Sequence, residues 1–111
     1  MSPLTLDEYQ KAAAKTAIYP ENARVTYPTL GLCGEAGEVA EKVKKAVRDS
    51  GGNIGEQRRE EIGKELGDVL WYLSNLAADL GFNLADVAQG NLDKLASRAA
   101  RGKLQGSGDN R

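Results

Sequence analysis

Residues 55–80, GEQRREEIGKELGDVLWYLSNLAADL, decide the fold class of this 111-residue chain. Stepping about 100° per residue around a helix places the apolar side chains of this stretch on one face. They are Ile62, Leu66, Val69, Tyr72, Leu73 and Leu76. The stretch is too long for a strand, and Gly81 ends it. It therefore predicts a long amphipathic helix from about Gly55 to Leu80.

Local signals on either side of this helix predict three more. Thr5 and Glu8 have the spacing of a capping box, Pro28 precedes a second helical stretch, and Asn83 has the side chain of an N-cap. The four predicted helices span about residues 5–18, 29–49, 55–80 and 83–101. No alternating run of β-branched residues indicates a strand. The sequence thus predicts a single all-α domain over residues 1–101, with four helices in a bundle-like arrangement, and a flexible polar tail over residues 102–111.

Composition excludes several function classes. The formal net charge of −1 argues against a nucleic-acid binder or a basic membrane-surface binder, since both carry a basic surplus. No apolar run is long enough to span a bilayer, and the first residues lack the layout of a secretory signal. The single cysteine, Cys33, cannot form an intramolecular disulfide and is expected to be a small core residue. We therefore expect a soluble cytoplasmic protein.

The absence of histidine narrows the chemistry further. It removes the most frequent general base and the most common ligand of transition metals. With one cysteine as well, the chain has almost nothing from which to build a zinc or copper site. Any metal site must therefore use oxygen ligands, which suit Mg²⁺, Mn²⁺ or Ca²⁺.

Two pairs of carboxylates share the spacing i, i+3, which places both members of a pair on nearly one helix face. They are Glu35 with Glu38 and Glu65 with Asp68. Glu65 falls within the apolar arc of its helix, whereas Glu35, Asp68 and Glu61 lie at the border of an arc. Two like charges about 4 Å apart repel by roughly 4 kcal/mol at an effective dielectric constant near 20. A divalent cation would remove that repulsion, although surface glutamates with solvated side chains remain the alternative.

These two acidic motifs, in this order, resemble those of the MazG-like nucleotide pyrophosphohydrolases of the all-α NTP pyrophosphatase superfamily. Residues 30–41, LGLCGEAGEVAE, are similar to the first motif helix of the family, and residues 65–73, ELGDVLWYL, are similar to the second. The resemblance covers about residues 4–104. It implies a MazG-type fold that is completed by assembly into a homodimer or homotetramer.

The resemblance also implies an activity, which is Mg²⁺-dependent hydrolysis of a nucleoside triphosphate to the monophosphate and pyrophosphate, with Mn²⁺ as a substitute metal. Glu35, Glu38, Glu65 and Asp68 would be the metal ligands and the catalytic residues. Some relatives carry a further glutamate directly before the first motif, where this chain has Gly34. The general base would then be either a metal-ligating carboxylate or a hydroxide held by the metal.

Further residues around the motifs are expected in supporting roles, of which the resemblance itself implies only Lys94 and Arg98 as phosphate contacts. Lys42, Lys94 and Arg98 would contact phosphate oxygens, and Glu61, Tyr72 and Asn91 would support the site from the next layer of residues. Each has a plainer interpretation. Lys42 could form a surface ion pair, the cations of the last helix could simply favour its C-terminal dipole, and Tyr72 could be a core or subunit contact.

Two other functions stay open at the level of sequence. The chain could be a related hydrolase that acts on dUTP, dCTP or phosphoribosyl-ATP, because nothing in the sequence identifies the base. It could also be a non-catalytic helical interaction module that has kept the scaffold, although the intact acidic quartet argues against this.

Overall fold

The computed structural model describes residues 2–111, and every regular element among them is helical. The helices are α1 (Leu6–Ala14), α2 (Thr26–Ser50), α3 (Gly55–Asp79) and α4 (Leu84–Ala100), with one turn of 3₁₀ helix at Glu21–Ala23. The predicted all-α fold with four helices is confirmed. Met1, the first residue of the predicted domain, lies outside the described residues.

Local capping explains where two of the helices begin. At α1, the Thr5 hydroxyl accepts a hydrogen bond from the Glu8 amide at 3.1 Å, and the Glu8 carboxylate accepts one from the Thr5 amide at 3.0 Å. At α4, the Asn83 side chain accepts a hydrogen bond from the Ala85 amide at 3.1 Å. Both caps satisfy amide groups that have no partner within the helix.

The predicted end of α1 and the predicted start of α2 are wrong by a few residues. Helix α1 stops at Ala14 rather than near Ile18. Beyond it, the Thr16 hydroxyl accepts a hydrogen bond from Trp71 Nε1 at 2.8 Å, which attaches this segment to α3. Helix α2 begins at Thr26 rather than Thr29, and Pro28 lies within its first turn. A proline is tolerated there because the first amides of a helix need no intrahelical acceptor.

Helices α2 and α3 form a long hairpin, on which α1 and α4 pack through α3. Gly51, with φ of 60°, ends α2 in the left-handed conformation and lets the chain reverse. Gln10 of α1 joins the α3–α4 turn, since its side chain donates to the Phe82 carbonyl at 3.0 Å and accepts from the Leu84 amide at 2.9 Å. The hairpin is therefore fixed at one end by α1 and α4.

Much of the apolar surface of the hairpin lies open in the single chain. Leu30, Val47 and Leu66 are 68%, 63% and 55% exposed, although Leu66 belongs to the predicted apolar face of α3. Cys33, which we expected in the core, is exposed. Among residues 2–111, no other helix covers this part of the hairpin. None of the described helices is long and apolar enough to cross a membrane.

Residues 102–111 form turns rather than a helix, and the predicted domain boundary at residue 101 stays a prediction. They fold back onto α4, where Asp109 meets Lys94 and Arg98. The predicted flexibility of this segment stays a prediction.

Candidate metal centre

Three carboxylates from two helices converge in the middle of the α2–α3 hairpin. Glu35 of α2 and Glu65 and Asp68 of α3 each offer one carboxylate oxygen, and these three oxygens lie within 4.8 Å of one another. Glu35 and Glu65 are half-buried, whereas Asp68 is exposed. The spacing i, i+3 brings only Glu65 and Asp68 together. Glu35 joins them through the packing of α2 on α3, and the three residues form what we call the acidic group.

Glu65 is the most constrained member of the acidic group. Its side chain is 19% exposed, and its Oε2 atom is buried without a hydrogen-bond partner. Its other oxygen, Oε1, lies 3.6 Å from Lys42 Nζ. A buried carboxylate oxygen without a donor is costly, and a cation at this position would satisfy it. Three carboxylate oxygens in one place suit a hard divalent cation, so the residues present fit such an ion.

The electrostatics of the acidic group act most strongly on Glu35. Its pKa is raised from the ordinary 4.5 to about 7, first because Glu65 shares a hydrogen bond with it and then because it is partly removed from water. The negative charges of Glu65, Asp68 and Glu38 contribute in the same direction. Without a cation, partial protonation of Glu35 near neutral pH therefore relieves some of the repulsion within the acidic group.

Glu38, the fourth predicted ligand, is not part of the acidic group. Its side chain is exposed, although its charge is near enough to raise the pKa of Glu35. The structure therefore brings together three of the four predicted ligands and leaves Glu38 at their edge.

Lys42 and Glu61 lie on the side of the acidic group that faces the hairpin turn. Both line a cleft of about 500 Å³ between α2 and the first turns of α3. Lys45 and Arg58 contribute further positive charge to the same cleft, and Glu56 further negative charge. Lys42 is thus the basic residue that joins the acidic group to this cleft, because it also contacts Glu65.

An aromatic group lies on the opposite side of the acidic group. The ring centroid of Tyr72 is 5.0 Å from that of Trp71, in an edge-on arrangement, and 6.2 Å from that of Tyr27. The pKa of Tyr72 is raised by burial first, then by Tyr27, and also by the charges of Glu35 and Asp68. Tyr72 therefore lies beside the carboxylates, and its supporting role stays a prediction.

Sequence reasoning missed three neighbours of the site. The backbone of Gly31 lies directly against the Tyr72 ring, and an isolated glycine in a helical pattern is a known signal of such close approach. Tyr27 stacks on Tyr19, with centroids 4.9 Å apart, which no local pattern indicates. Tyr9 of α1 has a pKa raised by burial and by the charge of Asp68, which places α1 next to the site.

Two of the three predicted site residues on α4 are paired with the C-terminal tail. The ion-pair partner of both Lys94 and Arg98 is Asp109, with Nζ–Oδ1 and Nη2–Oδ1 distances of 2.9 Å and 3.1 Å. Asn91 is exposed one turn earlier. Within residues 2–111, neither α4 cation forms an ion pair with the acidic group, whereas Lys42 of α2 does.

Comparisons with known proteins place this geometry in context. A family model described as the MazG nucleotide pyrophosphohydrolase domain matches residues 26–102, the range that holds all the predicted site residues. The Gene 37 protein of Mycobacterium phage L5 is 51% identical over 112 residues, an alignment that covers 96% of this chain and 98% of that protein. No solved structure matches the chain.

Proposed function

The chain belongs to the MazG nucleotide pyrophosphohydrolase family, and we propose that it hydrolyses nucleoside triphosphates to the monophosphate and pyrophosphate with Mg²⁺ as the cofactor. One observation carries the proposal. Three carboxylate oxygens from α2 and α3 converge within 4.8 Å, and a buried oxygen of Glu65 beside them has no donor. Such an arrangement lowers the stability of the folded chain when no ion is bound, and it suits a divalent cation.

In this proposal, Glu35, Glu65 and Asp68 hold the ion directly, and Glu38 at the edge of the group completes the quartet. When bound, the ion would supply charge neutralisation for the phosphate chain and would activate a water for attack on phosphorus. Mn²⁺ is expected to substitute, because both ions prefer oxygen ligands.

The remaining residues act on the substrate. Lys42 lies between the acidic group and the neighbouring cleft, so it is well placed to meet phosphate oxygens near the metal. Glu61, which lines the same cleft, and Tyr72, beside Glu35 and Asp68, would hold the surroundings of the site in place. On α4, Lys94 and Arg98 would bind the phosphate chain, with Asn91 nearby as a polar contact.

The test is a panel of canonical and modified nucleoside triphosphates incubated with Mg²⁺, with pyrophosphate release as the readout. At least one substrate should release pyrophosphate, and Glu65→Gln should abolish most of the rate. Glu60→Gln is the matched control, since Glu60 is an exposed glutamate on the same helix. No release from any nucleotide, or undiminished release by the Glu65 variant, would rule the proposal out. The panel would also identify the preferred base.

A further inference from the structure

Residues 103–111, which we call the C-terminal strap, close over the two cations of α4. Lys94 Nζ donates to Asp109 Oδ1 at 2.9 Å, and Arg98 Nη2 donates to the same oxygen at 3.1 Å. Arg98 Nη2 also donates to the Asp109 carbonyl at 2.6 Å. One acidic residue of the strap therefore occupies both cations.

The contact leaves Arg98 incompletely satisfied. Its side chain is only 6% exposed, yet Nε has no hydrogen-bond partner. A guanidinium normally meets an oxyanion through two parallel hydrogen bonds, and here both side-chain bonds from Lys94 and Arg98 reach a single carboxylate oxygen. A ligand with more oxygens, such as a phosphate group, could engage Arg98 through two donors.

Asp109 is held in place by the strap rather than by burial. Its side chain is 78% exposed, so water screens its ion pairs. The strap keeps its shape through Arg111, whose guanidinium donates to the carbonyls of Lys103, Leu104 and Gly108 at 3.1, 3.0 and 2.6 Å. Arg101 Nη2 in turn donates to the backbone oxygen of Arg111 at 2.9 Å. Loss of the Arg111 hydrogen bonds would therefore loosen the hold of the strap on Asp109 while leaving the Asp109 side chain itself unchanged.

We propose that the C-terminal strap is an autoinhibitory device, in which Asp109 occupies the Lys94–Arg98 pair and a phosphate group of the nucleotide must displace it. This inference rests on the proposed function for the identity of the phosphate ligand. The exposed, one-oxygen contact of Asp109 is weak enough to be displaced, whereas the buried Arg98 with an unpaired Nε is a ready partner for a phosphate.

Two variants of the full chain test the strap with opposite changes in charge. Asp109→Asn removes one negative charge, and Arg111→Gln removes one positive charge. The probe is inorganic tripolyphosphate, titrated calorimetrically without metal, so that binding is measured apart from turnover. Both variants should bind it about two- to fivefold more tightly than the unaltered chain, the range expected when the ion pairs of an exposed carboxylate are lost.

The controls separate the strap from general electrostatics. Asp93→Asn makes the same charge change on α4, but Asp93 accepts from Gln89 and has no part in the strap, so its affinity should stay near the unaltered value. Adding Arg98→Gln to Asp109→Asn should remove the gain. If Asp109→Asn binds tripolyphosphate more tightly and Arg111→Gln binds it more weakly, the change in net charge alone explains the result and the strap proposal is wrong. The proposal is also wrong if no variant binds tripolyphosphate.

Nucleotide turnover, measured in parallel, keeps the two proposals distinguishable. If both strap variants bind tripolyphosphate more tightly but no nucleotide is cleaved, the strap proposal stands and the proposed function fails. If nucleotides are cleaved and neither strap variant alters tripolyphosphate affinity, the proposed function stands and the strap fails.

Discussion

The ring of Tyr72 packs directly on the backbone of Gly31, so that a Cβ at position 31 would overlap the ring. This contact joins α2 to α3 one turn before Glu35 in the chain and one turn after Asp68. Because Tyr72 also lies near both carboxylates, the separation of the two helices at the acidic group depends on the absence of a side chain at Gly31. A packing contact thus sets the geometry of the candidate metal centre.

Gly31→Ala should lower the free energy of unfolding by about 1–3 kcal/mol, the usual cost of overpacking a close contact. Gly90→Ala in α4 is the control, because nothing lies within 4 Å of a Cβ there. That variant should be neutral or should gain up to about 1 kcal/mol from better helix propensity. Urea unfolding of both variants measures the difference. Equal stabilities would contradict the close packing of Tyr72 on α2.

The metal-free protein should lose stability as the pH rises from about 5 to 8. The pKa of Glu35 is raised from 4.5 to about 7, chiefly by its hydrogen bond with Glu65. Between these values the folded chain holds a proton that the unfolded chain has released, so folding is favoured at the lower pH. This contribution is complete below pH 4.5 and is lost as the pH rises through 7. Urea unfolding in the presence of a chelator measures the slope.

Glu35→Gln should remove this component of the pH dependence, because the amide does not titrate. Glu60→Gln, which removes an exposed carboxylate of α3, should keep it. Saturating Mg²⁺ should restore stability above pH 7 in the unaltered chain, since the ion replaces the proton in relieving repulsion. An identical slope in Glu35→Gln and in the unaltered chain would show that Glu35 is not the titrating group.

The parts of the fold that could be predicted from the sequence are those that depend on interactions between residues close together in the chain. The capping box of Thr5 and Glu8 and the cap at Asn83 act within a few residues, and both were placed correctly. The start of α2 depends instead on a contact over 54 residues, in which the Asp79 carboxylate accepts a hydrogen bond from the Val25 amide. No helical pattern around Pro28 contains that information.

In the candidate site, too, local properties could be predicted from the sequence, whereas contacts between helices could not. The helical wheel singled out Glu65, whose buried oxygen indeed lacks a donor, because its misplaced charge is a local property. The wheel put Glu35 at the border of its apolar arc and Glu38 further round, but it could not show that Glu35 reaches Glu65 and Asp68, since that depends on the rotation of α2 against α3. The exposure of Leu66 has a related cause, because the apolar face of a helix does not specify whether another helix of the same chain covers it. Assembly into a dimer or tetramer stays a prediction.

The four predicted metal ligands should differ in their effect on Mg²⁺ binding. Mg²⁺ at about 100 times its dissociation constant should stabilise the unaltered chain by about 2.7 kcal/mol. Glu65→Gln should lose most of this gain, because Glu65 lies within the acidic group. Glu38→Gln should keep the larger part of the Mg²⁺-induced stabilisation, because Glu38 is exposed and lies outside the acidic group. Thermal unfolding with and without Mg²⁺ measures both, and equal losses would mean that Glu38 binds the ion as directly as Glu65.

Asp79→Asn should weaken the junction between α1 and α2 by about 1.5–3 kcal/mol, the usual value for hydrogen bonds to a charged group. The Asp79 carboxylate is 10% exposed and accepts from the Tyr19 hydroxyl at 2.8 Å, the Val25 amide at 2.9 Å and Arg24 Nε at 3.4 Å. Spectrophotometric titration of Tyr19 supplies a second measurement, besides the free energy of unfolding. Burial and then the Asp79 hydrogen bond raise the pKa of Tyr19 to about 12, so the variant should ionise Tyr19 at lower pH. Asp93→Asn, at an exposed position on α4, should change neither quantity. An Asp79 variant with unaltered stability would mean that the strained Val25, at φ of 68°, is held by other contacts.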